Sequence, residues 1–365
     1  MKRLLLLGGG HAHLQVLRAF VTEALPGAEA TLVTPWPTLT YSGMVPGVVA
    51  GHYTRSQCSV PLLPLAERAG VRLLQSHAIA LDAAARSVTL ADGRTLAYDA
   101  LSLDVGATQD RDVIAGAREH GLFVRPIEGF VQLWERMLEL AEAKPLCVVV
   151  VGGGAAGVEL ALAMHHRLGD RSRVSLVTGG TPPLPDYPAT VQQRATAALK
   201  QRKVTVLEDR CVEISATQVL LGRGTRVACD AAVLALPALA PAWLQYSGLA
   251  LDGQGFVATT PTLQSRSHAE VFAAGDVASR PDAPRPRSGV YALRAGAALA
   301  LNLRRFLAGG QLEAWTPQPR ALNLLACGER YAIASWGGLS AQGRWVWHWK
   351  DRIDRRFVNE HGGKA

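Results

Sequence analysis

An α/β fold built on two copies of one strand–turn–helix unit is predicted by three observations. An apolar run, the leucines at 4–7, meets a glycine turn at Gly8, Gly9 and Gly10. A second run, the valines at 148–151, meets Gly152, Gly153 and Gly154. Helix-like and strand-like patterns alternate along the whole chain, as parallel α/β architectures require. In each unit glycine permits torsions and close approaches that a Cβ forbids, and free N–H groups at the helix start can hold a pyrophosphate. The chain therefore has two candidate dinucleotide sites.

The second unit keeps the full G-x-G-x-x-G pattern at Gly152, Gly154 and Gly157, with an apolar stripe through Val158 and Leu162 behind it. The first keeps Gly8 and Gly10 but carries His13 where a third glycine would let helix and strand pack closely. Its helix is marked by Leu14, Leu17, Val21 and Leu25 and is expected to end near Pro26 and Gly27. His11 and His13 sit beside the expected pyrophosphate position, and without acid partners they give no metal site. The strand after each first helix usually ends in an acid that binds a ribose hydroxyl. Here those strands end in Thr34 and Thr178, each offering only a hydroxyl. NADH and NADPH are thus not distinguished, since Arg171 and Arg173 precede the strand rather than follow it. Two further stretches complete the pattern. Residues 98–108 give a strand followed by Gly106, and a short apolar strand from Val271 ends in Gly275-Asp276 before a helix expected from about Tyr291 to Leu307.

These motifs, in this order, resemble the FAD-dependent pyridine nucleotide-disulfide oxidoreductase superfamily. Within it the chain is similar to a type II NADH dehydrogenase-like subgroup associated with selenophosphate synthetase. That likeness rests on Gly8 to His13, on Tyr41 to Gly47 followed by Ala50 to Tyr53, and on Trp349 to Phe357. It implies a glutathione-reductase-like flavoprotein with two Rossmann-like dinucleotide-binding domains and a small C-terminal α+β interface region. The FAD domain would be discontinuous, 1–125 and 250–315, with an NAD(P)H-binding-like domain, 126–249, inserted, and 316–365 forming the interface region. The resemblance places Gly275 and Asp276 at the ribityl or pyrophosphate part of FAD and Gly106 near the cofactor. It also makes Tyr41 and Pro46 candidates for flavin-ring contacts and puts Glu159 near the nicotinamide. The alternative for Asp276 is a turn acid capping the following segment, and Glu159 reads equally as a first-turn acid favoured by the helix dipole.

The activity implied is hydride transfer from NAD(P)H to FAD and onward to a quinone-like acceptor. Two alternatives stay open: a flavoenzyme acting on a sulfur or selenium compound, with the second fold architectural only, and a flavin-binding partner protein with little turnover. Cys58, Cys147, Cys211, Cys229 and Cys327 include no close pair, so a local redox disulfide is excluded.

Composition agrees. A chain of 365 residues, 48 % hydrophobic, can bury two domain cores. The net charge of +8 comes without a block of Lys and Arg, so no nucleic-acid arm is read. The uncharged stretch 231–251 is broken by Pro237, Pro241 and Gly248, and Lys2-Arg3 is followed by only four leucines. A cytoplasmic protein is expected, at most peripheral to the inner face of the membrane. Trp345, Trp347 and Trp349 alternate and would share one face of a strand. Beside Arg352, Arg355 and Arg356 they suit membrane contact or a quinone entrance, while core packing or a homodimer interface explains them as well. The arginines themselves fit a solvated helix face.

Overall fold

Both glycine turns lie at the carboxyl ends of parallel strands. The computed structural model describes residues 1–25 and 27–362. Pro26, where the first helix is expected to end, and the last three residues of the C-terminal region lie outside the described residues.

The chain begins with β1 (Lys2–Leu7), α1 (His11–Thr22) and β2 (Ala28–Thr34). A short helix α2 (Val45–Val49) precedes β3 (Val71–Gln75) and β4 (Ala100–Leu103). The second unit follows as β5 (Gly121–Phe123), α3 (Ile127–Ala143), β6 (Cys147–Val151), α4 (Ala155–Leu168) and β7 (Arg173–Val177). It continues through α5 (Ala189–Gln201), β8 (Thr205–Leu207) and β9 (Ala231–Leu234). The chain then returns with β10 (Val271–Ala273) and α6 (Gly289–Ala308). It ends in β11 (Asn323–Ala326), β12 (Ala332–Trp336), β13 (Leu339–Gly343) and α7 (Arg344–Gly362).

Two five-stranded parallel sheets result, in the orders β10-β4-β1-β2-β3 and β5-β9-β6-β7-β8. The α/β class read from the sequence is therefore the class of the fold. Leucines 4–7 and valines 148–151 are all buried because helices cover one face of each sheet and a small three-stranded antiparallel sheet, within 78–97 or 211–228, covers the other, which is why these strands are continuous apolar runs. In the first sheet Leu7, Leu103 and Ala273 stand side by side. Gly8, Asp104 and Ala274 consequently leave the sheet at the same edge. The strand β10 joins this sheet from far along the chain, whereas every strand of the second sheet lies between 121 and 234.

The third glycine of the second unit is required by packing. A Cβ on Gly157 would lie 1.8 Å from the carbonyl oxygen of Gly152. On the first helix the equivalent closeness is absent, and His13 occupies the space.

The tryptophan alternation belongs to a helix, correcting the strand reading. The antiparallel sheet β11-β12-β13 ends at Gly343, and α7 starts at the next residue. Residues two apart then face nearly opposite ways. Trp347 is accordingly buried, while Trp345 and Trp349, four apart, are 59 % and 41 % exposed with rings stacked at 6.4 Å. Arg352, Arg355 and Arg356 do face solvent, the last two in ion pairs with Asp351 and Glu360. No helix among the described residues is long and apolar enough to cross a membrane.

Replacing Gly157 by Ala should cost about 1–3 kcal/mol through overpacking. Gly154→Ala, whose Cβ would meet nothing within 4 Å, should be near neutral. Denaturant midpoints of the two variants check this, and equal losses would contradict the packing account.

Candidate functional site

A cavity of about 1350 Å³ runs from the first glycine turn to the start of α4 and on to the C-terminal sheet and helix. This exceeds the roughly 300–1,000 Å³ that one drug-sized ligand fills. Of the residues singled out from sequence, Gly8, Gly10, His11, Thr34, Tyr41, Gly106, Glu159 and Asp276 line it. Ala155 and Ala156 bring the first residues of α4 to the same space.

The others do not reach the wall. His13 is fully buried, with Nδ1 2.6 Å from the Gly8 carbonyl oxygen and Nε2 2.8 Å from Ser102 Oγ. It fills the place of the missing third glycine and ties α1 to β1 and β4. Pro46 is buried in α2, which packs against α4, so it is not a ring contact from within the cavity. Gly275 lies behind Asp276, against the Asp104 carboxyl. Thr178 is buried and its hydroxyl donates to the carbonyl of Thr181, closing its own turn. Gly152, Gly154 and Gly157 are not part of the wall either, Gly157 being buried and Gly154 exposed elsewhere on the turn. Thr34 keeps its place on the wall, its hydroxyl 3.2 Å from the Trp36 carbonyl oxygen.

His11 opens α1 and its ring lies beside the stacked rings of Tyr41 and Phe357, at 5.7 and 6.0 Å. Its Nε2 is buried with no partner. Burial is the main reason its ring is pushed down to about 4, with Asp276 opposing, so the imidazole is neutral at neutral pH. Tyr41 stacks on Phe357 at 4.2 Å, and burial, with Asp354 adding to it, pushes its phenol up. Asp276 accepts from Arg125 Nη2 at 3.1 Å. It is therefore the partner of a cation on the wall and not simply a capping acid.

Glu159 is half-buried and lines the same cavity. It lies one turn inside α4, whose first turn holds no acid, so the helix-dipole explanation of this residue fails. Its Oε1 accepts from the Ala326 N–H at 2.7 Å, and burial raises its carboxyl to about 7, with Lys350 opposing.

Four site residues escape sequence reading. Asp104 is 3 % exposed and accepts at Oδ2 from the Ala12 and His13 N–H groups. Arg125 pairs with Asp276. Lys350 and Asp354 form a buried pair at 2.6 Å, and Lys350 Nζ also donates to the Gly43 carbonyl at 2.6 Å. A signal existed for three of them: an acid closing the apolar strand before Gly106, and a Lys–Asp pair spaced i, i+4, legible only once the tryptophan segment is read as helix.

All five cysteines are free and none lines the cavity. Among the described residues no group of His, Cys, Asp and Glu could hold a metal ion. The wall does fit a flavin nucleotide. It combines the glycine backbone of the first turn, an orphaned ring nitrogen on His11, and an aromatic side chain at Tyr41.

Two parallel sheets, one bringing its glycine turn and the other the first residues of the helix after its glycine turn to one shared cavity, define a two-dinucleotide-fold protein. The model of the pyridine nucleotide-disulphide oxidoreductase family matches residues 2–296, and the chain belongs to that family; it is an oxidoreductase. The chain is 27 % identical to a demethylphylloquinone reductase of Synechocystis sp., over 93 % of this chain and 88 % of that one. Among solved structures it is similar to NDH2 of Plasmodium falciparum in complex with NADH, with a TM-score of 0.83, 14 % identity and coverage of 100 % and 99 %. It is also similar to the sulfide:quinone oxidoreductase of Aquifex aeolicus, with a TM-score of 0.80, 17 % identity and coverage of 99 % and 92 %. At these identities the two structures speak for the fold alone.

Glu159 has a stability signature. Its folded carboxyl sits at about 7 against an ordinary 4.5. Protonated Glu159 therefore favours the fold fully below about 4.5, and this contribution is lost as pH rises through about 7. Glu159→Gln should remove that part of the slope in stability against pH, measured by denaturant unfolding between the two values. An unchanged slope would show the carboxyl to be ionised throughout.

Proposed function

We propose that the protein is an FAD-dependent NAD(P)H dehydrogenase that passes electrons to a quinone-like acceptor. The observation that carries this reading is the single cavity onto which both glycine units, the C-terminal sheet and α7 open. The names of the relatives support it: one is a quinone reductase by name and another was solved with NADH.

The first unit would hold FAD, with Gly8 to His11 at the diphosphate, Asp276 and Gly106 beside the ribityl chain, and Tyr41 toward the ring. The second would present NAD(P)H at Ala155 and Ala156, next to Glu159. When bound, the flavin supplies the hydride-accepting centre. The protein supplies placement and charge. Neutral His11 puts an uncharged hydrogen-bonding nitrogen into the cavity, and the Arg125–Asp276 pair keeps that stretch of wall near charge balance. Glu159, with its carboxyl at about 7, can hold or release a proton at neutral pH. Lys350, fixed by Asp354 and the Gly43 carbonyl, places a cation on the same wall.

A cytoplasmic protein with peripheral membrane contact follows from the same reading. Trp336, Leu339, Trp345 and Trp349 are exposed around the start of α7, with arginines beside them, and suit an interfacial surface near a lipid-soluble acceptor. The second reading is oxidation or reduction of a sulfur or selenium compound, in keeping with the sequence likeness to selenophosphate synthetase-associated proteins and with the sulfide:quinone oxidoreductase fold. The absence of cysteine from the cavity wall weighs against it. A low-turnover partner protein is the weakest reading for a member of an oxidoreductase family.

Anaerobic mixing of the flavin-loaded protein with NADH, NADPH or sulfide separates these. Rapid loss of the yellow flavin absorbance with a pyridine nucleotide is expected. Loss with sulfide alone would overturn the main reading and make the second unit architectural.

A further inference from the structure

Asp104 leaves the sheet directly after β4 and turns its side chain back under the first glycine turn. Its Oδ2 lies 2.8 Å from the Ala12 nitrogen and 2.9 Å from the His13 nitrogen, the second and third residues of α1. The residue ahead of that helix, Gly10, has no side chain to cap it. The carboxyl is a borrowed cap that satisfies two of the N–H groups a helix start leaves open. Its space comes from glycines in two separate turns. A Cβ on Gly10 would lie 2.5 Å from the carboxyl carbon, and one on Gly275 2.3 Å from Oδ1.

A dinucleotide fold ordinarily leaves the N–H groups of this first turn for a diphosphate. Here two of them are held by a side chain of the protein itself, while Gly8, Gly9, Gly10, His11 and Asp104 all line the cavity. We propose that Asp104 is a cofactor-positioning residue, which confines the diphosphate of a bound dinucleotide to the N–H groups ahead of Ala12 and makes its binding depend on pH. This rests on the reading that the first unit holds FAD.

The charged and titratable groups around it set the sign. Asp276 faces it from the turn after β10 and is itself paired with Arg125, which precedes α3; His11 and His13 face it from α1, both kept neutral by burial. Burial raises the Asp104 carboxyl well above its ordinary range, the two N–H bonds oppose this, and Asp276 adds to it. An incoming anionic diphosphate raises it further, because like charges sharing a site disfavour ionisation. Below the carboxyl's own titration Asp104 is neutral with or without cofactor. Above it the free protein carries a charge that binding must remove, so affinity falls as pH rises. The fall in affinity across that titration should be about tenfold or more.

The test is FAD affinity of the full chain after removal of flavin, followed by quenching of flavin fluorescence from about pH 5 to about pH 9, for wild type, Asp104→Asn and Asp104→Ala. Asn retains an oxygen for both N–H groups and cannot ionise. Wild type is expected to lose affinity toward high pH, and Asp104→Asn to bind with a flat profile. Asp104→Ala should likewise lose the pH dependence, and by losing the cap should lower the melting temperature. Superposed wild-type and Asn titrations would overturn the proposal, leaving Asp104 a structural cap whose loss lowers only the melting temperature of the flavin-free protein. Should wild type bind no FAD at any pH, the reading of the first unit falls and the proposal with it. Binding by wild type with no difference in Asn removes the proposal alone.

Discussion

A carboxylate buried at the end of a parallel strand holds the first helix in place, and much of the site is built outward from that helix. Asp104 accepts from the second and third N–H groups of α1, His13 reaches from the same turn to Gly8 and Ser102, and the sheet edge and helix start become one rigid unit. An isolated buried carboxylate is costly, and the two N–H bonds are what make its position tolerable. From there α1 packs against α6 so closely that a Cβ on Gly296 would lie 2.6 Å from Gln15 Cβ. Farther along, Gln15 Nε2 lies 2.9 Å from the Nε2 of His361 in α7. The positions of α6 and α7, and hence of the aromatic cluster of His11, Tyr41 and Phe357, follow from where α1 is pinned.

The second determinant of the site is α7. Its buried Lys350–Asp354 pair and the bond from Lys350 to the Gly43 carbonyl fasten the helix to the loop after β2. Phe357 from the same helix covers Tyr41. Truncating one member of such a pair leaves an uncompensated charge, so the pair specifies position more than it adds stability. Polar groups of the cavity are thereby set apart by environment. His11 is neutral by burial, Glu159 is poised near neutrality, and Asp276 is matched to Arg125.

The parallel sheets were legible because their signals are local. Continuous apolar runs before glycines at 8–10 and 152–157 mark strands buried on both faces, and those strands are present as read. The tryptophans were misread because strict alternation over five residues cannot distinguish a strand from a helix whose residues two apart happen to match. The neighbouring Lys350 and Asp354, four apart, carried the helical period instead. Side-chain roles were less accessible, since they depend on contacts across the chain. Thr178 spends its hydroxyl on its own turn, Pro46 packs inward, and Arg125 finds Asp276 only after the second unit returns the chain to the first sheet. Nothing in the sequence around Gly10 announces that an acid more than ninety residues later will occupy the space its missing Cβ leaves.

On the proposed reading the two glycine units serve one cavity with two nucleotides. Its most direct test is a crystal structure of the flavin-loaded protein soaked anaerobically with NADH. FAD is expected to extend from Gly8–His11 toward Tyr41, with the nicotinamide reaching the flavin past Ala155 and Glu159. A dinucleotide found only at the first unit under saturating NADH, with the wall at Ala155, Ala156 and Glu159 empty, would contradict it.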